Sequence, residues 1–266
     1  QKGDDAKALA AAWDQRRVYQ DAGYKEEEAL TLLRIADLTW KVNGAEAALR
    51  PARAAWAIYH ELKDKDNEAK ALLTAANLYI EDRRLSLAAK AARDAREICQ
   101  AVGSTRGEAD ALLTVARVHL AECEKAAEAG GHAAQLGMRD VTLAMEALEV
   151  ARKSFESLDD PEGLAAALQL LSHCHWVGGD GEKALQAGKD ALAFHQLLEH
   201  PQGAAGAMLH VARAHVLLGD CEAAVSSASD AASISAEIGD KGTCQEATQL
   251  LEMLGIVAGH ILTSEP

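Results

Sequence analysis

Apolar positions in this chain recur at offsets of three and four, and that pattern itself recurs every 40 residues. Over residues 201–240, Ala205, Met208, Val211, Ala212 and His215 share one helical face. A Gly219-Asp220 turn follows, after which Ala224, Ala228, Ala231, Ile234 and Ile238 share another. This spacing predicts two amphipathic helices joined by a tight turn. Units of the same form begin at Lys25, Lys65, Thr105, Pro161 and Pro201, with a last start at Lys241. Their spacings are 40, 40, 56, 40 and 40 residues.

Aligning the units turns the pattern into columns. In the first helices the fifth residue is Ala29, Ala69, Ala109, Ala165 and Ala205, and the eighth is Leu32, Leu72, Leu112, Leu168 and Met208. The twelfth is always small: Ala36, Ala76, Ala116, Ser172 and Ala212. In the second helices Ala48, Ala88, Ala144, Ala184 and Ala224 form one column, and Ala55, Ala95, Ala151, Ala191 and Ala231 another. Leu62, Val102, Leu158, Leu198 and Ile238 are expected to close that face. Small residues at fixed points, flanked by larger ones, let helices cross closely with interlocking side chains. The predicted fold is therefore all-α, a right-handed α-α superhelix of about five and a half helix pairs.

Residues 1–24 read as a lone second helix, 25–240 as five repeats, and 241–266 as a lone, strongly apolar first helix. Pro161 and Pro201 open helices, where the missing N–H costs nothing. Gly179 and Gly219 close them, and Gly181 and Gly203 are placed at turns. Pro51 falls inside a second helix, where its ring should clash with Ala47 and kink it. The third repeat carries 16 extra residues around 125–140, predicted to lengthen both its helices by about eight residues, or roughly 12 Å, with Gly130-Gly131 at the tip. The extension reads either as a tolerated insertion or as a finger that contacts a partner.

Leu32, Ala36, Ala48 and Ala55, with their counterparts in later units, resemble the tetratricopeptide repeat (TPR) family over residues 25–240. That motif has a large then a small residue in its first helix and an Ala-x(6)-Ala frame in its second. The departures are a 40-residue period against about 34 in the family, and an aromatic of the first helix kept only as Tyr79. Long repeats of this kind are similar to those of kinesin light chains and spindle-orientation adaptors, which are peptide-binding scaffolds. Another helical solenoid would give a similar gross shape.

Composition narrows the partners. Aromatic residues make up only 4% of the chain, and the net charge is −14. That charge disfavours a nucleic-acid partner, since neutralising phosphates needs Lys and Arg, and it disfavours an anionic membrane surface. No run of 18 apolar residues appears, so no membrane span is expected. Five dispersed cysteines (Cys99, Cys123, Cys174, Cys221 and Cys244) read as small buried hydrophobes in an intracellular, reducing compartment such as the cytoplasm. The chain opens on Gln1 rather than Met, which leaves room for an excised targeting segment or a longer parent.

The resemblance implies that first helices line a concave binding face. One residue beyond the small column lie Asp37, Asn77, Arg117, His173 and Arg213, and three further on come Trp40, Ile80, Leu120, Trp176 and Val216. A polar ladder between apolar columns suits an extended peptide, with donors and acceptors for its backbone and recesses for its side chains. The candidate groove is Asp37, Trp40, Asn77, Arg117, His173, Trp176 and Arg213, and the basic end points to an acidic residue on the partner. The function expected is a non-catalytic scaffold or adaptor for a protein or peptide. The alternative is a constitutive subunit of a larger assembly, docking through its outer faces, the 125–140 extension and the terminal helix.

That terminal segment, LLEMLGIVAGHIL over 250–262, is apolar almost all round. Leu250, Leu254, Ile256, Val257 and Ile261 are therefore a candidate docking face, for a partner or for self-association. His173, Cys174, His175, His210 and His215 invite a metal reading, but His173 and His175, two apart, do not share a helical face. They read as polar-tipped spacers, and no metal or cofactor is expected. No GxSxG, phosphate loop, HExxH or dinucleotide fingerprint is present, and an enzyme is not expected.

Overall fold

A computed structural model describes residues 2–255, apart from the side chains of residues 2–3 and 131–136. The described residues form twelve α-helices and no strand. In order they are α1 (Lys2–Ala22), α2 (Lys25–Asn43), α3 (Ala45–Leu62), α4 (Lys65–Glu81), α5 (Leu85–Val102), α6 (Thr105–Ala129), α7 (Gly131–Ser157), α8 (Pro161–Val177), α9 (Gly181–Leu197), α10 (Pro201–Leu217), α11 (Cys221–Ile238) and α12 (Lys241–Met253). None of the described helices is long and apolar enough to cross a membrane. The chain divides into two compact units, Gln1–Ser154 and Phe155–Pro266.

Within each unit consecutive helices pack as pairs, α2 on α3 and α4 on α5 in the first, α8 on α9 and α10 on α11 in the second. The alanine columns make this possible. Ala36, Ala76, Ala48, Ala88, Ala55 and Ala95 are wholly buried in the first unit, as are Ala184, Ala191, Ala212, Ala224 and Ala231 in the second. Each buried methyl contributes on the order of 1 kcal/mol, and its small size brings backbones close enough for the neighbouring leucines to interlock. Ser172 takes the alanine place in its unit, and its hydroxyl donates to the Ala184 carbonyl oxygen at 2.7 Å.

The turns are equally regular. Gly23, Lys63, Gly103, Asp159, Glu199 and Gly239 take left-handed backbone, with φ between 49° and 77°. After four of them a side chain (Asp64, Ser104, Asp160, Asp240) caps the next helix by accepting a backbone N–H. A side chain at positive φ is strained, whereas glycine is not. Glu199→Gly is therefore expected to raise stability by about 0.5–1 kcal/mol, read from its urea midpoint; an unchanged or lower midpoint would contradict this.

Four expectations need correction. The second-helix face is not closed by Leu62, Val102, Leu158 and Leu198, which are 40%, 45%, 43% and 36% exposed. These residues fall at or just past the helix ends, and the buried column lies three positions earlier: Tyr59, Cys99, Phe155, His195 and Ser235. Gly181 and Gly203 are not turn residues but lie in the first turns of α9 and α10. Cys221 is exposed at the start of α11, unlike the buried Cys99, Cys123 and Cys174. Finally, the terminal helix does not run on past Met253, where α12 stops, and Gly255 takes φ 80°; residues 256–262 lie outside the described residues.

Pro51 is buried within α3, which runs on from Ala45 to Leu62. In the third pair α6 has 25 residues and α7 has 27, meeting at Gly130 with φ 68°.

Candidate functional site

In the first unit the ladder residues stand on α2, α4 and α6. Asp37 pairs with Lys41 one turn on, at 2.9 Å, and Trp40 is 41% exposed. Arg117 Nη1 donates to Asn77 Oδ1 at 3.1 Å, and its Nη2 lies 3.8 Å from a Glu81 carboxylate oxygen. Residues 77 and 117 are one repeat apart, so this hydrogen bond ties neighbouring first helices along the ladder. Partial burial lowers the Arg117 pKa, and Glu81 opposes that shift. Tyr79, the aromatic kept from the family pattern, is buried and accepts from Arg53 Nε at 3.1 Å.

In the second unit the ladder is a cluster of rings and one cation. On α8, the His173 and Trp176 rings lie 5.7 Å apart, centroid to centroid. From α10, the His210 ring lies 5.4 Å from His173, and the Arg213 guanidinium sits 5.3 Å from the Trp176 ring centroid. From α12, a Glu246 carboxylate oxygen pairs with Arg213 Nη2 at 2.6 Å. Arg213 is thus held on an aromatic face, where a cation meets the negative side of the ring, and is neutralised by an acid of the same chain.

Both imidazoles are neutral near pH 7. Burial, with Arg213 second, pulls the His173 pKa down to about 4, and burial, then His173 and Arg213, pushes His210 well below its ordinary value. His210 Nδ1 is buried without a hydrogen-bond partner. Chemically the cluster is a set of mutually tilted rings around one guanidinium, with two uncharged imidazoles, suited to a carboxylate or a backbone carbonyl.

His210 and Glu246 were absent from the ladder read off the sequence. His210 had a signal there, since it lies three residues before Arg213 and so on the same face. Glu246 had almost none, because its column (Leu30, Lys70, Asp110, Ala166, Gly206) has no common chemistry.

The remaining candidates fall elsewhere. His215 Nδ1 is 3.6 Å from Asp220 at the next turn. Leu250 packs against Leu209, Ala231 and Ala247 of its own unit. Leu254 follows the end of α12, and Ile256, Val257 and Ile261 lie outside the described residues. Among the described residues the potential metal ligands that gather most closely are not the histidines of α8 and α10 but His119, Glu122 and Asp140.

No protein-family model and no curated protein matches the chain in sequence. Solved structures do match. TTC0263, a thermophilic TPR protein of Thermus thermophilus, shares 15% identity at a TM-score of 0.63, over 84% of this chain and 99% of that one. The fold is that of the tetratricopeptide repeat. BtubC (BKLC) from P. vanneervenii has the same TM-score, 0.63, at 20% identity, over 90% of this chain and 91% of its own. A Rap protein complexed with Competence and Sporulation Factor reaches 0.64 at 18% identity, over 86% of this chain and 64% of its own. In TPR terms the clusters above stand on the first helices of their pairs.

Proposed function

We propose that this TPR chain is a non-catalytic protein-interaction scaffold that takes an extended segment of a partner, with an acidic residue as anchor, on its first-helix faces. The observation that carries the reading is Arg213, lying on Trp176 and paired with Glu246. Glu246 occupies the place an acidic ligand side chain would take, so the chain supplies its own stand-in. His173 and His210, being uncharged, leave that guanidinium as the cluster's one positive charge. Arg117 and Asn77 offer donors of the same kind in the first unit, beside Asp37 and Trp40. The Rap protein's complex with Competence and Sporulation Factor supports binding as a use of the fold.

Selection from a random peptide display library tests this reading. Enrichment of Asp- or Glu-containing sequences is expected. Arg213→Ala and Trp176→Ala should each weaken the selected peptides about tenfold, as befits loss of a charge-assisted contact. Glu246→Gln should strengthen them by removing the internal competitor. Selected peptides without acidic residues, or affinities indifferent to Arg213, would reject the proposal.

The second reading, a constitutive subunit docking through its outer surface, draws on Leu197 and Met253, which are 74% and 84% exposed. It predicts a stable complex insensitive to Arg213→Ala.

A further inference from the structure

The third helix pair brings an imidazole and two carboxylates together at the base of its extension. His119 and Glu122 lie one turn apart on α6, and Asp140 approaches from α7. His119 Nδ1 is 3.1 Å from Asp140 Oδ1 and 3.6 Å from Glu122 Oε2, and the three ligand atoms all lie within 4.8 Å of one another. Their side chains are 24%, 38% and 25% exposed, so the cluster is shielded but open to water on one side.

The sibling repeats separate what is ordinary here from what is added. His119 shares its column with His175 and His215, and once the 16 extra residues are counted, Asp140 shares one with Asp180 and Asp220. In those siblings the aspartate opens the second helix and is used as a cap: Asp180 Oδ1 accepts from the Lys183 N–H and Asp220 Oδ1 from the Ala223 N–H. Asp140 instead lies well inside α7, where the backbone N–H groups are taken by the helix's own carbonyls. It therefore has no cap to make, and its carboxylate comes to 3.1 Å from the imidazole, against 3.6 Å for the capping Asp220 and His215. Glu122 is absent from both histidine-bearing siblings, where Gly178 and Leu218 stand at its position, although the second repeat has Asp82 there. The extension thus releases one acid from capping at a point where the sequence adds another.

Two carboxylates converging on one ring nitrogen are not both satisfied by a single N–H. The 3.1 Å approach is a hydrogen bond, but 3.6 Å is too long for one. A divalent cation satisfies all three groups. Ligand bonds of about 2.0–2.1 Å in a tetrahedral arrangement place neighbouring ligand atoms about 3.3 Å apart, and the two observed separations bracket that spacing. One nitrogen and two oxygens suit a borderline ion, and zinc binds such sets more tightly than manganese or cobalt.

We propose that His119, Glu122 and Asp140 form a zinc site with its fourth position open to water, pinning α6 to α7 where the extension begins. The test is titration of the full chain with zinc by calorimetry, and with cobalt(II) by visible absorption. One equivalent should bind, with a tetrahedral cobalt spectrum free of thiolate charge-transfer bands. Glu122→Gln and Asp140→Asn should each weaken binding at least tenfold, since losing a direct ligand costs no less than the roughly 10- to 100-fold seen for outer partners. Glu122→Gln changes a partly exposed side chain and should leave the helical circular dichroism intact. No saturable binding at millimolar ion, thiolate bands in the cobalt spectrum, or undiminished affinity in both variants would overturn the proposal.

Discussion

Lowering the pH from 7 to 4 is expected to destabilise the second unit by about 3 kcal/mol through His173 alone. Burial and the neighbouring Arg213 hold this imidazole neutral in the folded chain, with its pKa pulled from 6.5 to about 4. In the unfolded chain it protonates near 6.5, so between those values the unfolded state binds more protons. The stabilising contribution is complete above pH 6.5 and is lost progressively as the pH falls to about 4, at about 1.4 kcal/mol per pH unit. Below that both states are protonated and this residue adds no further loss. His210 and His195, also lowered chiefly by burial, act with the same sign. Urea midpoints measured at pH 7, 5.5 and 4 should fall steeply for the natural chain. They should fall less for His173→Gln, which keeps a polar tip but takes up no proton. Equal slopes for the two proteins would show that His173 is not held neutral. Acid would also place new positive charge beside Arg213, so the proposed acidic anchor and the fold would respond to pH through the same residues.

The architecture was legible because it is repeated. An alanine at one position says little, but alanines at Ala48, Ala88, Ala144, Ala184 and Ala224 define a face, and all five are wholly buried. The same method misplaced the end of that face. Leu62 and its counterparts are apolar in every unit, whereas the position actually buried holds Tyr59, Cys99, Phe155, His195 and Ser235, a set with no common chemistry. That column is filled to suit each neighbour rather than to a common type, and column averaging cannot detect it.

The candidate site was legible to the same depth. The ladder's polarity could be read from spacing, but its partners could not, because each depends on which side chain a neighbouring first helix presents. Asn77 reaches Arg117 across one full period, while Arg213 finds Glu246 in a column whose other members share no chemistry. His119 and Asp140 were hidden differently. The extension sets them 21 residues apart, although their siblings stand five apart.

Replacing Gly163 by alanine is expected to cost about 1–3 kcal/mol in the natural chain and to become neutral or stabilising once Phe155 is removed. Gly163 lies in the first turn of α8, where alanine is the better helix former by up to about 1 kcal/mol. The fold uses glycine there because the wholly buried Phe155 ring lies flush against it. A methyl at Gly163 would meet three carbons of that ring at 2.1–2.5 Å, well inside contact distance. The ring is packed on all sides and has little room to turn aside. Phe155→Ala by itself should cost about 3–5 kcal/mol, the usual range for emptying an aromatic site. In the double variant the new methyl enters the space the ring has left, so the steric penalty vanishes and helix propensity remains. A reversal of sign between the two backgrounds, read from urea midpoints, isolates the ring–glycine contact from any general intolerance of the site. If Gly163→Ala costs the same in both, the contact is not what selects glycine. The next repeat carries the same arrangement in different chemistry: a methyl at Gly203 would lie 2.3 Å from His195 Nδ1. Shortening that ring should relieve Gly203→Ala in the same way, because at both positions the second helix of one pair presses its bulkiest buried side chain onto the opening turn of the next.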